Sequence, residues 1–361
     1  MRILFLPGDG IGPEVAREAE KVLQAVAARF CHRLEARHDL IGAAALEATG
    51  AALPPSARAE ALEADAVLLG AVGLPAYDSL PPAQRPEKGL LELRAAMGVY
   101  ANLRPVRAHA SLLDASPLRP ERVRGTDLLI VRELTGGLYF NQPRGLEGQG
   151  DGRRAVNTMA YTAPEIQRIA TLAYELAAAR RGRLTSVDKA NVLENSRLWR
   201  TVVDELAADH PGVKVDHLLV DNAAMQLVLD PAGFDVLLTE NLFGDILSDE
   251  AAVIVGSIGL LPSASLGPKL PSGGYRGLYE PIHGSAPAIA GKGLANPLGT
   301  ISSAAMMLAW SFGLHAEARC VEEAVAAVLR DGPRTPDLGG SGSTAEVGDA
   351  VCARISSGAV Q

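Results

Sequence analysis

Short apolar runs bounded by turn residues alternate with longer segments of helical period along this chain. That alternation restricts the fold more than any other feature, because it is the pattern of an α/β protein with a mainly parallel sheet. The strand candidates are Ile3–Leu6, Ala66–Leu69, Asp127–Arg132, Leu184–Asp188, Lys214–Val220 and Val236–Leu238. Pro13 to Arg29 carries Val15, Ala19, Val22, Leu23 and Val26 on one face, and Pro13 suits a first helical turn. Ala163 to Arg180, Ser196 to Ala208 and Ile301 to Phe312 read as helices by the same periodicity. With 361 residues and about 150 residues per domain, two lobes are expected.

Composition narrows the function classes. Hydrophobic residues make up 48% of the chain, ample for a packed core and too many for a disordered or fibrous protein. The 34 basic and 42 acidic residues leave a net charge of −8 with no basic run to track a phosphate backbone, so nucleic acid is excluded as a partner. Cys31, Cys320 and Cys352 are far apart and odd in number, which fits a reducing compartment. Ile3-Leu4-Phe5-Leu6 follows Met1-Arg2 directly with no export-signal pattern. Ala66–Val72 and Ala251–Leu261 are too short or too broken by glycine to span a bilayer. A soluble, cytoplasmic protein with no membrane partner is expected.

The stretch Asn241-Leu242-Phe243-Gly244-Asp245-Ile246-Leu247-Ser248-Asp249-Glu250 reads as the start of a helix. Asp245 and Asp249 are one turn apart and share a face, where two like charges destabilise an isolated helix by roughly 0.2–0.5 kcal/mol. A cation would offset that repulsion. Paired oxygens without nearby Cys or His suit a hard divalent ion such as Mg²⁺ or Mn²⁺ rather than zinc. The plainer alternative is two acids complementing the helix macrodipole.

Arg94, Arg104 and Arg132 stand near strand or helix ends, and convergent guanidinium forks would bind a dicarboxylate. Leu90 lies one helical turn before Arg94, setting an apolar surface beside a cationic anchor. Tyr139 in a glycine-rich turn and Lys189 after an apolar strand are candidates for proton transfer. Asp221 follows the segment Val215–Val220 at the end of that strand, where open α/β sheets place ligands, and could supply a third metal oxygen or cap the helix Ala223–Leu229. Gly8-Asp9-Gly10-Ile11-Gly12-Pro13 lacks the third glycine of a dinucleotide fingerprint, because Pro13 occupies its place. A structural turn explains it.

Together these segments resemble the β-decarboxylating dehydrogenases, the family of isocitrate, homoisocitrate, tartrate and 3-isopropylmalate dehydrogenases. The resemblance runs from Gly8–Glu14 through Arg94, Arg104, Arg132, Tyr139 and Lys189-Ala190-Asn191-Val192 to Asn241–Leu260, Glu280-Pro281-Ile282-His283-Gly284-Ser285-Ala286-Pro287 and Asn296-Pro297. It implies a two-lobed, non-Rossmann fold with a central mixed sheet flanked by helices. Residues 1–100 and 256–361 would form a cofactor-binding domain, and residues 101–255 a domain for metal, substrate and the dimer interface. Glu87, Leu90 and Leu91 resemble the isopropylmalate-specific members.

The resemblance further implies that Arg94, Arg104 and Arg132 hold the substrate carboxylates while Leu90, Leu91 and Val192 contact an isopropyl group. Asp221, Asp245 and Asp249 would ligate Mg²⁺ or Mn²⁺. The implied assembly is a homodimer with shared active sites, Lys189 and Asp221 reaching into the neighbour's cleft. NAD would lie along Leu74, Pro75 and Glu87, with Asn191, and along the loop formed by Glu280, His283, Gly284, Ser285, Ala286, Pro287, Ile289 and Asn296. Two departures stand out: Ala288 replaces the Asp that NAD-dependent members place against the adenosine ribose, and the Gly267–Gly277 loop is longer. The implied reaction is oxidative decarboxylation of 3-isopropylmalate in leucine biosynthesis. The rivals are another 2-hydroxy diacid, such as tartrate, malate or homoisocitrate, and a catalytically silent metabolite-binding paralogue.

Overall fold

The computed structural model describes residues 1–271 and 273–358. In chain order its strands are β1 (Arg2–Gly8), β2 (Glu35–His38), β3 (Ala66–Ala71), β4 (Ala101–Arg107), β5 (Asp127–Glu133), β6 (Gly145–Glu147), β7 (Arg154–Val156), β8 (Arg183–Asp188), β9 (Lys214–Leu219), β10 (Val236–Thr239), β11 (Pro262–Lys269) and β12 (Tyr275–Pro281). The chain divides into two compact units. One comprises Met1–Val99, His109–Ala115 and the stretch from Gly256 on; the other comprises Tyr100–Ala108 and Ser116–Val255.

In the first unit the strands lie in the order β2-β1-β3-β12-β11. The pairs are parallel except β11 with β12, which is antiparallel. Every residue of β3 is buried, as expected of a strand covered on both faces. The helix Gly12–Arg29 buries Val15, Ala19, Val22, Leu23 and Val26, the face read from the sequence. Leu298–Trp310 is buried on nearly all sides because it carries no charged residue.

In the second unit the order is β4-β5-β10-β8-β9, parallel except for the antiparallel pair β4 with β5. The helix Ala163–Ala178 opens on a capping box between Thr162 and Glu165. The helices Glu194–Leu206, Val220–Leu229 and Asn241–Ile254 follow strands in the same way. Three of the four pairs in each set are parallel, so the mainly parallel pairing expected from the sequence is found, and one antiparallel pair in each gives the mixed character.

The segment expected to be a long Gly267–Gly277 loop is mostly a hairpin. β11 runs to Lys269 and β12 begins at Tyr275, and Leu270 N donates to Gly274 O at 2.7 Å across the turn. Asp221 is not at a strand end either, since β9 stops at Leu219 and the Val220–Leu229 helix starts one residue earlier than Asp221. Nor does it cap, because Leu219 holds the cap position without a side-chain bond. Among the described residues no helix is long and apolar enough to cross a membrane.

Candidate active site

In the second unit Arg132 ends the buried strand β5 and points its side chain at the first turn of the Asn241–Ile254 helix. Its side chain is 5% exposed. Gly244 makes that approach possible: a Cβ there would lie 2.7 Å from Arg132 Cγ and 2.3 Å from Thr239 Oγ1. Arg132 Nε and Nη2 donate to Asn241 Oδ1 at 3.1 and 2.8 Å, while Nη1 pairs with Asp245 Oδ1. Asp245 Oδ2 accepts the Tyr139 hydroxyl at 2.5 Å.

Arg104, from β4, completes the group. Its Nη2 lies 3.6 Å from Asp245 Oδ1, and its Nη1 lies 3.2 Å from Asp249 Oδ1 and donates to Ser248 Oγ at 2.5 Å. Two acids one turn apart are thus offset by two guanidinium groups, as the like-charge spacing requires. Burial alone would raise the Asp245 carboxyl, but the charge of Arg132, the Tyr139 hydroxyl and Arg104 outweigh it and hold it below the ordinary carboxylate value. Burial, followed by the bond to Asp245, pushes the Tyr139 phenol up, so it stays protonated at neutral pH. Asp249 keeps a carboxylate that is 64% exposed.

The turn that carries Tyr139 is pinned from below. Glu133, fully buried beside Arg132, accepts Thr135 N and Gly136 N at 2.8 Å each and pairs with Arg168 at 3.0 Å. Glu240 caps the Asn241–Ile254 helix by accepting Phe243 N at 2.6 Å and Leu242 N at 3.0 Å. Tyr161 braces that cap, its hydroxyl donating to Glu240 and accepting Asn241 N.

A separate pair is formed by Lys189 and Asp221, Nζ to Oδ1 at 2.5 Å. The bond from Lys189 holds the Asp221 carboxyl below its usual value. Lys189 sits on a turn fixed by the buried Asp188, whose carboxylate takes Ala190 N at 2.8 Å and both Arg200 Nε and Nη2 at 2.9 Å. Asn191 and Val192 follow on the same turn, exposed. Among the described residues no three of His, Cys, Asp and Glu gather as a metal group, so one chain does not bring Asp221 to Asp245 and Asp249.

In the first unit Arg94 Nη2 pairs with Glu280 Oε1 at 2.5 Å, and Arg94 Nε is buried with no hydrogen-bond partner among the described residues. Leu90 is half-buried and Leu91 is 39% exposed on the same helix, Glu87–Met97. Glu87 packs beside Gly73, whose φ of +110 places it in the region that favours glycine. Ser285 Oγ donates to Gly73 O at 2.5 Å, tying the 283–296 loop to the segment that carries Leu74 and Pro75. The Gly8–Gly12 turn serves the same joint: a Cβ on Gly10 would lie 2.0 Å from Ser285 O, and Ile11 N donates to that oxygen at 2.8 Å. The structural reading of these glycines holds.

Asp9, which sequence reasoning passed over, accepts Ala43 N, Ala44 N and Gly73 N at 2.8–2.9 Å and so fixes the start of the segment that carries Leu74 and Pro75. Gly284, Ala286, Pro287 and Ala288 are exposed, with Ile289 half-buried. Both ends of the Asn296 amide are spent within the protein, on Asp337 and Leu298 N. His283 Nε2 is buried with no partner among the described residues, and burial holds this imidazole below its ordinary value. Asn241 and Glu133 were also missed, although both adjoin residues singled out in the sequence.

Residues 2–351 match the family described as isocitrate/isopropylmalate dehydrogenase. The chain belongs to this family. It is 54% identical over 354 residues to a 3-isopropylmalate dehydrogenase of Anaeromyxobacter dehalogenans, covering 98% of this chain and 99% of that one. It is 56% identical over 355 residues to a 3-isopropylmalate dehydrogenase of Symbiobacterium thermophilum, covering 98% and 96%. Among solved structures, an isocitrate dehydrogenase from Methylococcus capsulatus superposes with a TM-score of 0.86 at 34% identity, covering 98% of this chain and 99% of that one. Family membership gives the fold as α/β with mixed sheets and flanking helices, and makes the chain a dehydrogenase of a small molecule.

Proposed function

We propose that the chain is a 3-isopropylmalate dehydrogenase, oxidising C2 of 3-isopropylmalate with NAD⁺ and releasing the carboxylate β to the new ketone, a step of leucine biosynthesis. The observation that carries this reading is the Arg104, Arg132, Asp245, Asp249 and Tyr139 group, in a chain 54% and 56% identical to two relatives that bear that name.

Arg104 and Arg132, with Arg94, hold the two carboxylates, and Leu90, Leu91 and Val192 meet the isopropyl branch, because an apolar surface rejects an unpartnered hydroxyl or third carboxylate there. Lys189, as its neutral amine, takes the C2 hydroxyl proton, and Asp221 holds the ammonium so formed. Tyr139 keeps its own proton at neutral pH and delivers it to the carbon that loses CO₂.

Asp245 and Asp249 fit a hard divalent ion, since they offer oxygens one turn apart with no sulfur or imidazole beside them, and Asp221 from a second copy adds the third. Bound Mg²⁺ or Mn²⁺ would act as a Lewis acid on the substrate oxygens. The orphaned His283 Nε2 fits a loop that holds a ligand, and Glu87, Leu74, Pro75, Asn191, Glu280 and Gly284 to Ile289 would line the NAD site. NAD⁺ supplies the hydride acceptor.

An apolar face supports a homodimer. The helices Val220–Leu229 and Asn241–Ile254 pack together and leave Met225, Leu229, Ile246 and Val253 each more than half exposed. Such a surface fits a second copy of the same chain, in which residues 101–255 carry the interface, the metal ligands and most substrate residues, and the remainder carries Leu90, Leu91, Arg94 and most of the NAD lining. The face also lies on the elements that bear Asp221, Asp245 and Asp249. The absence of any membrane-spanning helix among the described residues is consistent with a cytoplasmic enzyme.

A panel of 2-hydroxy diacids assayed with NAD⁺ and, in parallel, with NADP⁺ tests the reading. The highest kcat/KM should fall to 3-isopropylmalate with NAD⁺; preference for tartrate or a homoisocitrate-like acid would overturn the substrate, and preference for NADP⁺ the cofactor.

A further inference from the structure

Asn241 is 1% exposed and uses both ends of its amide on opposite kinds of partner. Its Oδ1 accepts two guanidinium N–H groups from Arg132, and its Nδ2 donates to Gly136 O at 3.1 Å. Only a side chain with an acceptor and a donor on one planar group satisfies both. An aspartate would also hold the guanidinium, bidentately, but it would lose the donor to Gly136 and cancel the charge of Arg132. Arg132 already faces one carboxylate, Asp245, on its other edge. A second would leave the guanidinium with more negative charge around it than it carries.

We infer that Asn241 is a positioning residue that orients Arg132 without neutralising it, so that the Arg132 charge stays available to a substrate carboxylate. The same amide ties Arg132 to Gly136, at the base of the turn that bears Tyr139, and so sets the anchor and the proton donor in one frame. The inference rests on the assignment of Arg132 as a carboxylate anchor in the proposed function.

The test measures KM for 3-isopropylmalate, KM for NAD⁺ and kcat in Asn241→Asp, Asn241→Ala, Arg132→Gln and the Asn241→Ala/Arg132→Gln double variant. Asn241→Asp should raise the diacid KM by about tenfold or more, beyond Asn241→Ala, because charge-assisted contacts outweigh neutral ones. KM for NAD⁺ should stay within about twofold, since the amide touches only Arg132 and Gly136, neither of which lines the proposed NAD site. A diacid KM in Asn241→Asp equal to or below that of Asn241→Ala would overturn the inference, because a merely structural brace loses more when the whole side chain is removed. Should Asn241→Asp fail to fold, the double variant decides: if Asn241 acts through Arg132, the two KM penalties do not add. Additive penalties overturn the inference. An unchanged diacid KM in Arg132→Gln would instead overturn the anchor assignment itself.

Discussion

Tyr139 donates its hydroxyl to Asp245 Oδ2 at 2.5 Å while the other oxygen of the same carboxylate faces Arg132. One side chain thereby joins the proposed proton donor, a proposed metal ligand and a proposed substrate anchor. The phenol, raised by burial and by Asp245, is an acid that neutral pH does not empty.

Replacing Tyr139 with Phe removes that proton and one hydrogen bond. Turnover should fall by about 10²–10⁴-fold, the usual worth of a general acid, with folding stability lowered by only about 1 kcal/mol. Steady-state kinetics beside a thermal melt check this; full activity in Tyr139→Phe would remove it from the acid role.

Asp245→Asn exchanges a carboxylate held below its ordinary value for a neutral amide facing two guanidinium groups. The concentration of Mg²⁺ or Mn²⁺ needed for half-maximal activity should rise by about tenfold or more, as expected for loss of a charged ligand. An unaltered metal titration would strike Asp245 from the ligand set.

The fold could be read from the sequence where burial is complete. β1, β3, β5 and β10 are buried along nearly their whole length, so their apolar runs are continuous and legible in the sequence. β2 is Glu35-Ala36-Arg37-His38 at the edge of its sheet, where exposed positions tolerate charge and no apolar run forms. β4 contains Arg104, Pro105 and Arg107, β11 is rich in Gly, Ser and Pro, and β12 sets Arg276, Gly277 and Glu280 among its apolar residues, so their alternation is masked. In the site, the Asp245 and Asp249 spacing was legible because helical period alone puts them on one face. The work of Asn241, Glu133 and Asp9 was not, because each binds backbone or side chains that only the folded chain brings within reach.

Shared sites predict complementation. Asp221→Asn and Asp245→Asn should each be impaired alone. A hybrid dimer of the two keeps one site with Asp221 from one protomer and Asp245 from its partner. Mixing the variants after reversible dissociation should restore part of the activity; activity no higher than that of the separate variants would contradict a site built from two chains.

His283 makes stability depend on pH in a known direction. Burial lowers its affinity for a proton in the folded state from an ordinary value of 6.5. The unfolded chain therefore binds the proton first, so stability is full above that value and is lost as pH falls toward the folded one. Urea midpoints between about pH 7.5 and pH 5 should drop more steeply for the natural chain than for His283→Gln. Parallel curves would show that His283 is not the group responsible.

The central claim is that these acids, arginines and Tyr139 perform a metal-dependent oxidative decarboxylation. It is tested most directly by following NADH and CO₂ together in one reaction containing 3-isopropylmalate, NAD⁺ and Mg²⁺, beside a chelated control. The account predicts equimolar release of both products, abolished by the chelator. NADH without CO₂, or neither product in the presence of metal, would contradict it.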